Sequence, residues 1–296
     1  MVKGFLRISA PLRKEGAILL CSRLRSEVSG RRKTLLGIIS ILPAFAVLVM
    51  VISCSAGESS LSVFAAAGAK LPLDEIGQMF EEKYGTAVDI SYGGGGEVLN
   101  QMVLSRTGDI YVAPEQGFME KAREKQVIDP ETIRSVAYMI PVIGVQKGNP
   151  RNIQSLADLA GPGIKVVMGN PETTLLGQLV PDMLQKAGLY DAVKRNIVTN
   201  APQVTAMITM LKMNQVDAGV IWHYFGTTAP NDVDIIWIPR EHVTGVGEIQ
   251  AAVSLYSQEE KTAQKFIDLL ASSEGKEIFK KNGYITDARE VSQCCQ

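Results

Sequence analysis

Histidine is nearly missing from this chain of 296 residues: only His223 and His242 occur. No two imidazoles therefore stand at metal-ligand spacing. Cysteine is as sparse, at positions 21, 54, 294 and 295, and the long stretch between 54 and 294 has none. That excludes a disulfide scaffold for the body of the chain. No Gly-x-Ser-x-Gly elbow occurs, and the one long glycine run is not followed by Lys-Ser/Thr. The signatures of a serine hydrolase and of a nucleoside-triphosphate loop are thus both absent. What remains for an enzyme is carboxylate chemistry on Glu97, Glu115 or Glu172, and nothing positive in the sequence supports it. No cofactor is called for.

A basic excess is missing too. The whole chain has net charge −1, but residues 1–53 hold nine Lys/Arg and only two acids. The remainder has 21 basic and 29 acidic residues, a net of −8. Nucleic acid is excluded as a partner, because its binding needs a basic face. Any anionic ligand has to be held by local donors against a repelling overall field.

What is present begins with a leader. Arg31-Arg32-Lys33 is a basic block, residues 34–52 are almost wholly apolar, and Val51-Ile52-Ser53-Cys54 follows. A basic region, an apolar core and small residues are the layout of a secretory signal. The cysteine after small and aliphatic residues resembles a bacterial lipobox, which makes Cys54 the lipidated first residue of the mature chain. An uncleaved anchor is the other reading, since the apolar run is long enough to span a bilayer. Either way the positive flank stays inside and the rest is exported. Cys294 and Cys295 sit in a polar tail and read as part of a frayed end.

In the remaining chain, apolar strand-like runs alternate with amphipathic helices, which predicts an α/β fold. Strands are expected at 61–65, 87–92, 110–112, 138–146, 165–168, 218–222, 234–238 and 249–255. Helical periodicity places Leu73, Ile76 and Phe80 on one face, as it does Leu176, Leu179, Val180, Met183, Leu184 and Ala187. The same holds for Val204, Met207, Ile208 and Leu211, and for Ala263, Phe266, Ile267 and Leu270; 117–125 reads as a short helix. Met207, Met210 and Met213 read as core filling. The runs 138–146 and 249–255 lack polar alternation and read as buried strands. They divide the chain into two α/β lobes joined by two crossing strands, with a cleft between. The expected organisation is a leader over 1–53, a linker over 54–60, one discontinuous lobe from 61–137 plus 248–296, and a second lobe over 138–247.

Three strand-to-helix turns are the chemical feature. Val63-Phe64-Ala65-Ala66-Ala67-Gly68, Ser91-Tyr92-Gly93-Gly94-Gly95-Gly96-Glu97 and Met168-Gly169-Asn170-Pro171-Glu172-Thr173-Thr174 each run from a strand into a helix. The free amides and positive dipole end of a helix N-terminus make such turns anion sockets without Lys or Arg. Together they read as walls of one small-ligand site. Glu97 and Glu172 read as first-turn residues that complement the helix dipole, or else as carboxylates facing the cleft.

These residues resemble the periplasmic molybdate- and tungstate-binding proteins of ABC importers, within the larger class of two-lobed solute-binding proteins. The resemblance spans roughly Leu61 to Thr286. It is carried by Val63–Ala67, Gly108-Asp109-Ile110-Tyr111-Val112, Phe118-Met119, Gly169-Asn170-Pro171-Glu172, Ala218-Gly219-Val220-Ile221 and Gly275–Tyr284. It implies a tetrahedral oxyanion gripped by hydroxyls and backbone amides of both lobes, which close about the crossing strands. The implied contacts fall at Gly68, at Gly94 and Gly95, at Thr173, Thr174 and the backbone around Leu175–Leu176, at Val204 and at Trp222. Relatives often carry serine where this chain has Gly68 and its glycine run, and some place a tyrosine hydroxyl where Trp222 stands. The implied partners are molybdate or tungstate, a permease of the inner membrane, and membrane lipid through Cys54, which places the protein in the periplasm or at the cell surface. Another ligand (sulfate, phosphate or ferric ion, the last through His223-Tyr224) and a surface lipoprotein without transport remain open alternatives.

Overall fold

The computed structural model describes residues 60–291. The leader, Cys54, and the pair Cys294 and Cys295 lie outside the described residues. The chain folds as β1 (Ser60–Ala66), α1 (Lys70–Tyr84), β2 (Ala87–Gly93), α2 (Gly95–Ser105), β3 (Ile110–Ala113) and α3 (Gln116–Glu124). It then continues through β4 (Arg134–Met139), β5 (Pro141–Gln146), β6 (Val166–Gly169), α4 (Leu175–Lys186), α5 (Tyr190–Lys194) and β7 (Ile197–Ala201). Next come α6 (Val204–Lys212), β8 (Ala218–Trp222), α7 (Phe225–Thr228), β9 (Val233–Trp237), β10 (Gly247–Val253), α8 (Glu260–Ala271), α9 (Ser273–Lys281) and α10 (Ala288–Val291).

Two mixed five-stranded sheets result, ordered β2-β1-β3-β10-β4 and β7-β6-β8-β5-β9. In the first, β1 runs parallel to β2 and β3, and β10 is antiparallel to β3 and β4. In the second, β6 runs parallel to β7 and β8, and β5 is antiparallel to β8 and β9. Both sheets therefore have one design: three parallel strands, then an antiparallel strand that arrives just after the chain has crossed from the other sheet. This two-lobed α/β arrangement agrees with the expected fold. Helices cover the sheets through the faces that periodicity picked out. Leu73, Ile76 and Phe80 of α1 and Ala263, Phe266, Ile267 and Leu270 of α8 are all fully buried. Apolar packing is continuous from one sheet to the other through Met139, Trp222, Tyr224, Ile249 and Tyr284.

The structure corrects the two crossing runs in detail. The run 138–146 is two strands in two different sheets, broken at Ile140. Pro141 has no N–H to continue a ladder. The peptide at Ile140 instead pairs with His223: Ile140 N–H donates to His223 Nδ1 at 3.0 Å, and His223 N–H donates to the Ile140 carbonyl at 3.0 Å. The run 249–255 ends early, at Val253, and Leu255 is exposed. Ser254 stops it by starting a turn, its hydroxyl accepting from Tyr256 N–H at 3.1 Å and its carbonyl from Ser257 N–H at 3.1 Å. The return crossing is instead the irregular stretch 238–246.

Candidate functional site

A cavity of about 590 Å³ opens between the two sheets. Its walls are the C-terminal ends of strands and the helix starts that follow them, as expected for open α/β sheets, whose ligands sit outside the carboxyl ends of the strands. The first sheet contributes Gly68 after β1, the glycine run after β2 and Glu115 after β3. The second contributes Thr173 and Thr174 before α4, Gln203 and Val204 at the start of α6, Trp222 at the end of β8 and Tyr224 after it. Gly68, Gly94, Gly95, Thr173, Thr174, Val204 and Trp222, separated by up to 154 positions in sequence, thus meet at one cavity. Leu176 does not: its side chain is fully buried in the core under α4. The amide beside it, that of Leu175, is the one the structure engages at the cleft.

Local geometry explains the glycines. A Cβ on Gly68 would stand 2.8 Å from the Tyr224 hydroxyl. That phenol cannot step aside, because Tyr224 is stacked on Phe225 at 4.3 Å and on Tyr284 at 4.4 Å. Tyr284 in turn donates its hydroxyl to the Gly68 carbonyl at 2.5 Å. The serine expected of relatives at Gly68 has no room here, and a tyrosine hydroxyl stands at the cavity wall beside it. Trp222, expected in the tyrosine's place, packs its ring edge toward Gly247 of β10. Gly95 is just as constrained, since a Cβ would lie 2.6 Å from Pro114 Cγ and 2.9 Å from Phe118. Gly94 is different: a Cβ there meets the end of the Gln203 side chain from the opposite lobe, at 3.3 Å, and Glu97 Oε2 at an ordinary 3.9 Å.

Side-chain hydroxyls expected to serve a ligand are in use within the protein. Thr173 Oγ1 donates to the Pro202 carbonyl at 2.8 Å. Thr174 caps α4, its hydroxyl donating to the Asn170 carbonyl at 2.9 Å and accepting from Gly177 N–H at 3.0 Å. The amides of Gly94, at the cavity, and of Leu175, next to the lining Thr174, are bonded to carboxylates. Gly94 N–H donates to Glu97 Oε2 at 3.2 Å, closing a capping interaction at the start of α2. Glu97 is therefore the first-turn residue that its position predicted. Glu172 is not, because α4 starts three residues later and Glu172 sits exposed in the turn at the cavity mouth.

Glu115, which the sequence offered only as one of three carboxylates for an enzyme, is absent from the contacts the resemblance implied. It occupies the cap position of α3 but makes no side-chain cap to that helix. Its side chain reaches across the cleft instead, and Oε2 accepts from Leu175 N–H of the other lobe at 3.1 Å. The residue is 6% exposed. Burial pushes its carboxyl up to about 7, against the smaller opposing pull of the Leu175 hydrogen bond and of Lys121. Burial, with the Glu115 charge adding to it, also raises the hydroxyls of Tyr111 and Tyr224 above their ordinary range. Glu115 could have been found by the rule that picked the other walls, since Val112-Ala113-Pro114-Glu115-Gln116 is a fourth strand-to-helix turn. Among the described residues no group of three or more His, Cys, Asp or Glu side chains stands together as a metal site would require.

Residues 61–285 match the sequence profile of bacterial extracellular solute-binding proteins. A putative binding protein of Haemophilus influenzae is 25% identical over 233 residues, which is 78% of this chain and 93% of that protein. The molybdate-binding protein ModA of Mycobacterium tuberculosis is 24% identical over 230 residues, 77% of this chain and 85% of that protein. Among solved structures, L-phospholactate-bound PEB3, a protein of Campylobacter jejuni, superposes with a TM-score of 0.67 at 23% identity, covering 76% of this chain and 99% of PEB3.

Proposed function

Because the chain belongs to the bacterial extracellular solute-binding proteins, we propose that it captures an oxyanion, molybdate or tungstate, between its lobes and delivers it to an ABC permease. The observation that carries this reading is the convergence of helix N-termini from both sheets on one cavity. Dehydrating an anion is costly unless its oxygens find donors, and charge-assisted bonds to amides are the strong kind. The assigned contacts are the amides of Gly68, Gly94 and Gly95, the turn Thr173-Thr174 with the backbone around Leu175–Leu176 at the start of α4, the amide of Val204, and the indole N–H of Trp222, with Tyr224 added; the amides of Thr173 and Thr174 themselves donate to the Asn170 carbonyl. The lobes divide as 61–137 with 248–296 and 138–247, a division supported by the sheet changes at Ile140 and over 238–246. They close on the ligand, and no chemistry is done on it. Residues 1–53 act as the leader and Cys54 carries the lipid that holds the protein at the membrane.

Cavity size favours a second ligand class. About 590 Å³ lies in the range of small organic ligands, roughly 300–1,000 Å³, well beyond the few water volumes of one four-oxygen anion at ~30 Å³ each. A phosphorylated organic acid, as in phospholactate-bound PEB3, fits the same donors with the space filled.

A thermal-shift panel on the soluble chain tests both readings, with molybdate, tungstate, sulfate, phosphate, phospholactate and ferric citrate. Saturation at about a hundredfold over Kd adds ~2.7 kcal/mol. Stabilisation by molybdate and tungstate alone supports the first reading; a response to phospholactate alone replaces it with the second. Silence across the panel sinks the oxyanion assignment. For the anchor, Cys54→Ala is expected to move the protein from the membrane to the soluble fraction of cells that export it.

A further inference from the structure

Glu97 and Glu115, which border the cavity, each hold a backbone amide, but the two carboxylates differ in kind. Glu97 is exposed, so water takes over its charge as soon as it leaves Gly94 N–H. Glu115 is buried, it borders the space a ligand would fill, and its Oε2 sits on the amide of Leu175, the residue after the lining Thr174. A fully deprotonated oxyanion cannot share that desolvated space with an ionised carboxylate, since like charges in a low dielectric repel strongly. The carboxyl has no solvent to retreat to. What reconciles the two is a proton, which turns Glu115 from a competing acceptor into a donor.

We propose that Glu115 makes anion capture in this cleft proton-linked: the protein binds the oxyanion together with one proton, held on the Glu115 carboxyl, whose O–H donates to a ligand oxygen. This rests on the oxyanion reading above and deepens it. The charged and titratable groups around Glu115 allow it. Lys121 of α3 is exposed, Tyr111 of β3 and Tyr224 after β8 stay neutral, and Glu97, Glu172 and Lys125 are solvated at the cavity rim. None of them is a buried base that could take the proton in its place. The neutral form of Glu115 is accessible near neutrality, because burial has already raised it to about 7. The consequence is a site that takes its anion more tightly as the surroundings acidify.

The experiment is calorimetric titration of the chain with molybdate, whose own charge is constant from about pH 6 to about pH 9, alongside Glu115→Gln, a neutral isostere that donates at every pH. The wild-type Kd is expected to rise about tenfold per pH unit above neutrality, and titration at about pH 8 in buffers of different ionisation enthalpy to report uptake of close to one proton. Glu115→Gln is expected to bind with a flat pH profile and no proton uptake, and at about pH 8 more tightly than the wild type. Molybdate binding by the wild type with a flat profile and no uptake overturns the inference alone, and so does a wild-type slope that persists in Glu115→Gln. Failure of molybdate and of tungstate to bind either chain at any pH overturns the oxyanion reading, and this inference with it.

Discussion

At the scale of single residues, the cavity wall is set by where a Cβ fits. Gly95 and Gly94 are neighbours with opposite tolerance. Gly95→Ser drives its side chain into Pro114 and Phe118 and is expected to destabilise by about 1–3 kcal/mol, the usual range for overpacking. Gly94→Ser meets the ends of two side chains, Gln203 and Glu97, and stands at a helix cap, where serine is at home. It is expected to fold with unchanged or slightly higher stability and to strengthen oxyanion binding by adding a hydroxyl. Urea unfolding of the two variants separates them, and equal loss in both would contradict the geometry. The strand-to-helix turn that holds Glu115 was legible, but the part that Glu115 and the Tyr224 hydroxyl play at the cavity was not, for a physical reason. A side chain's role across a cleft depends on the other lobe's position, which no local pattern encodes. The glycine run was legible because its unusual composition is itself the signal, although its reason proved to be packing as much as amide exposure.

At the scale of elements, the longer helices around 73–80, 176–187, 204–211 and 263–270 and most strands follow from hydrophobic period, while α5, α7, α9 and α10 were not read from it, and the strand exceptions have causes. β7 was missed because it is a half-exposed edge strand, with no buried run to mark it. The break between β4 and β5 was hidden inside an apolar run, where Ile140 and Pro141 look like ordinary strand residues. His223 holds that break, and the hold is testable. His223→Ala leaves the buried Ile140 N–H without its acceptor and is expected to cost about 1–3 kcal/mol in chemical denaturation. Protonating His223 removes the same acceptor. Burial lowers its imidazole from 6.5 to about 4. The unfolded chain therefore takes a proton there before the folded one does, and the contribution of His223 to stability falls as pH drops from about 6.5 to about 4.

For the whole molecule, two buried titrations oppose each other. Glu115 is raised from 4.5 to about 7, so the folded chain holds a proton there that the unfolded chain has released. Its contribution to stability rises as pH falls across that window, while that of His223 falls across nearly the same one. The wild type is expected to show little net slope from these two groups between about pH 4.5 and about pH 6.5. Glu115→Gln exposes the His223 slope. It is expected to exceed the wild type by on the order of 2–3 kcal/mol at about pH 8 and to match it near pH 4.5. Denaturation curves at several pH values check this, and a constant gap between the two chains would refute it.

The shared strand order of the two sheets has a consequence for how the molecule comes into being. The second sheet is contiguous, and all five of its strands exist once the chain has emerged as far as Trp237. The first sheet cannot be finished then. β4 pairs with β10 alone within that sheet, so it waits, with β3's outer edge, for a strand that emerges last but for the closing helices. During synthesis and export the inner lobe can therefore assemble on its own schedule while the outer one remains an open edge. A chain cut short before Gly247 would keep one sheet whole and leave the other as β2-β1-β3 with β4 unpaired in it, undermining the side of the cavity that the first sheet supplies.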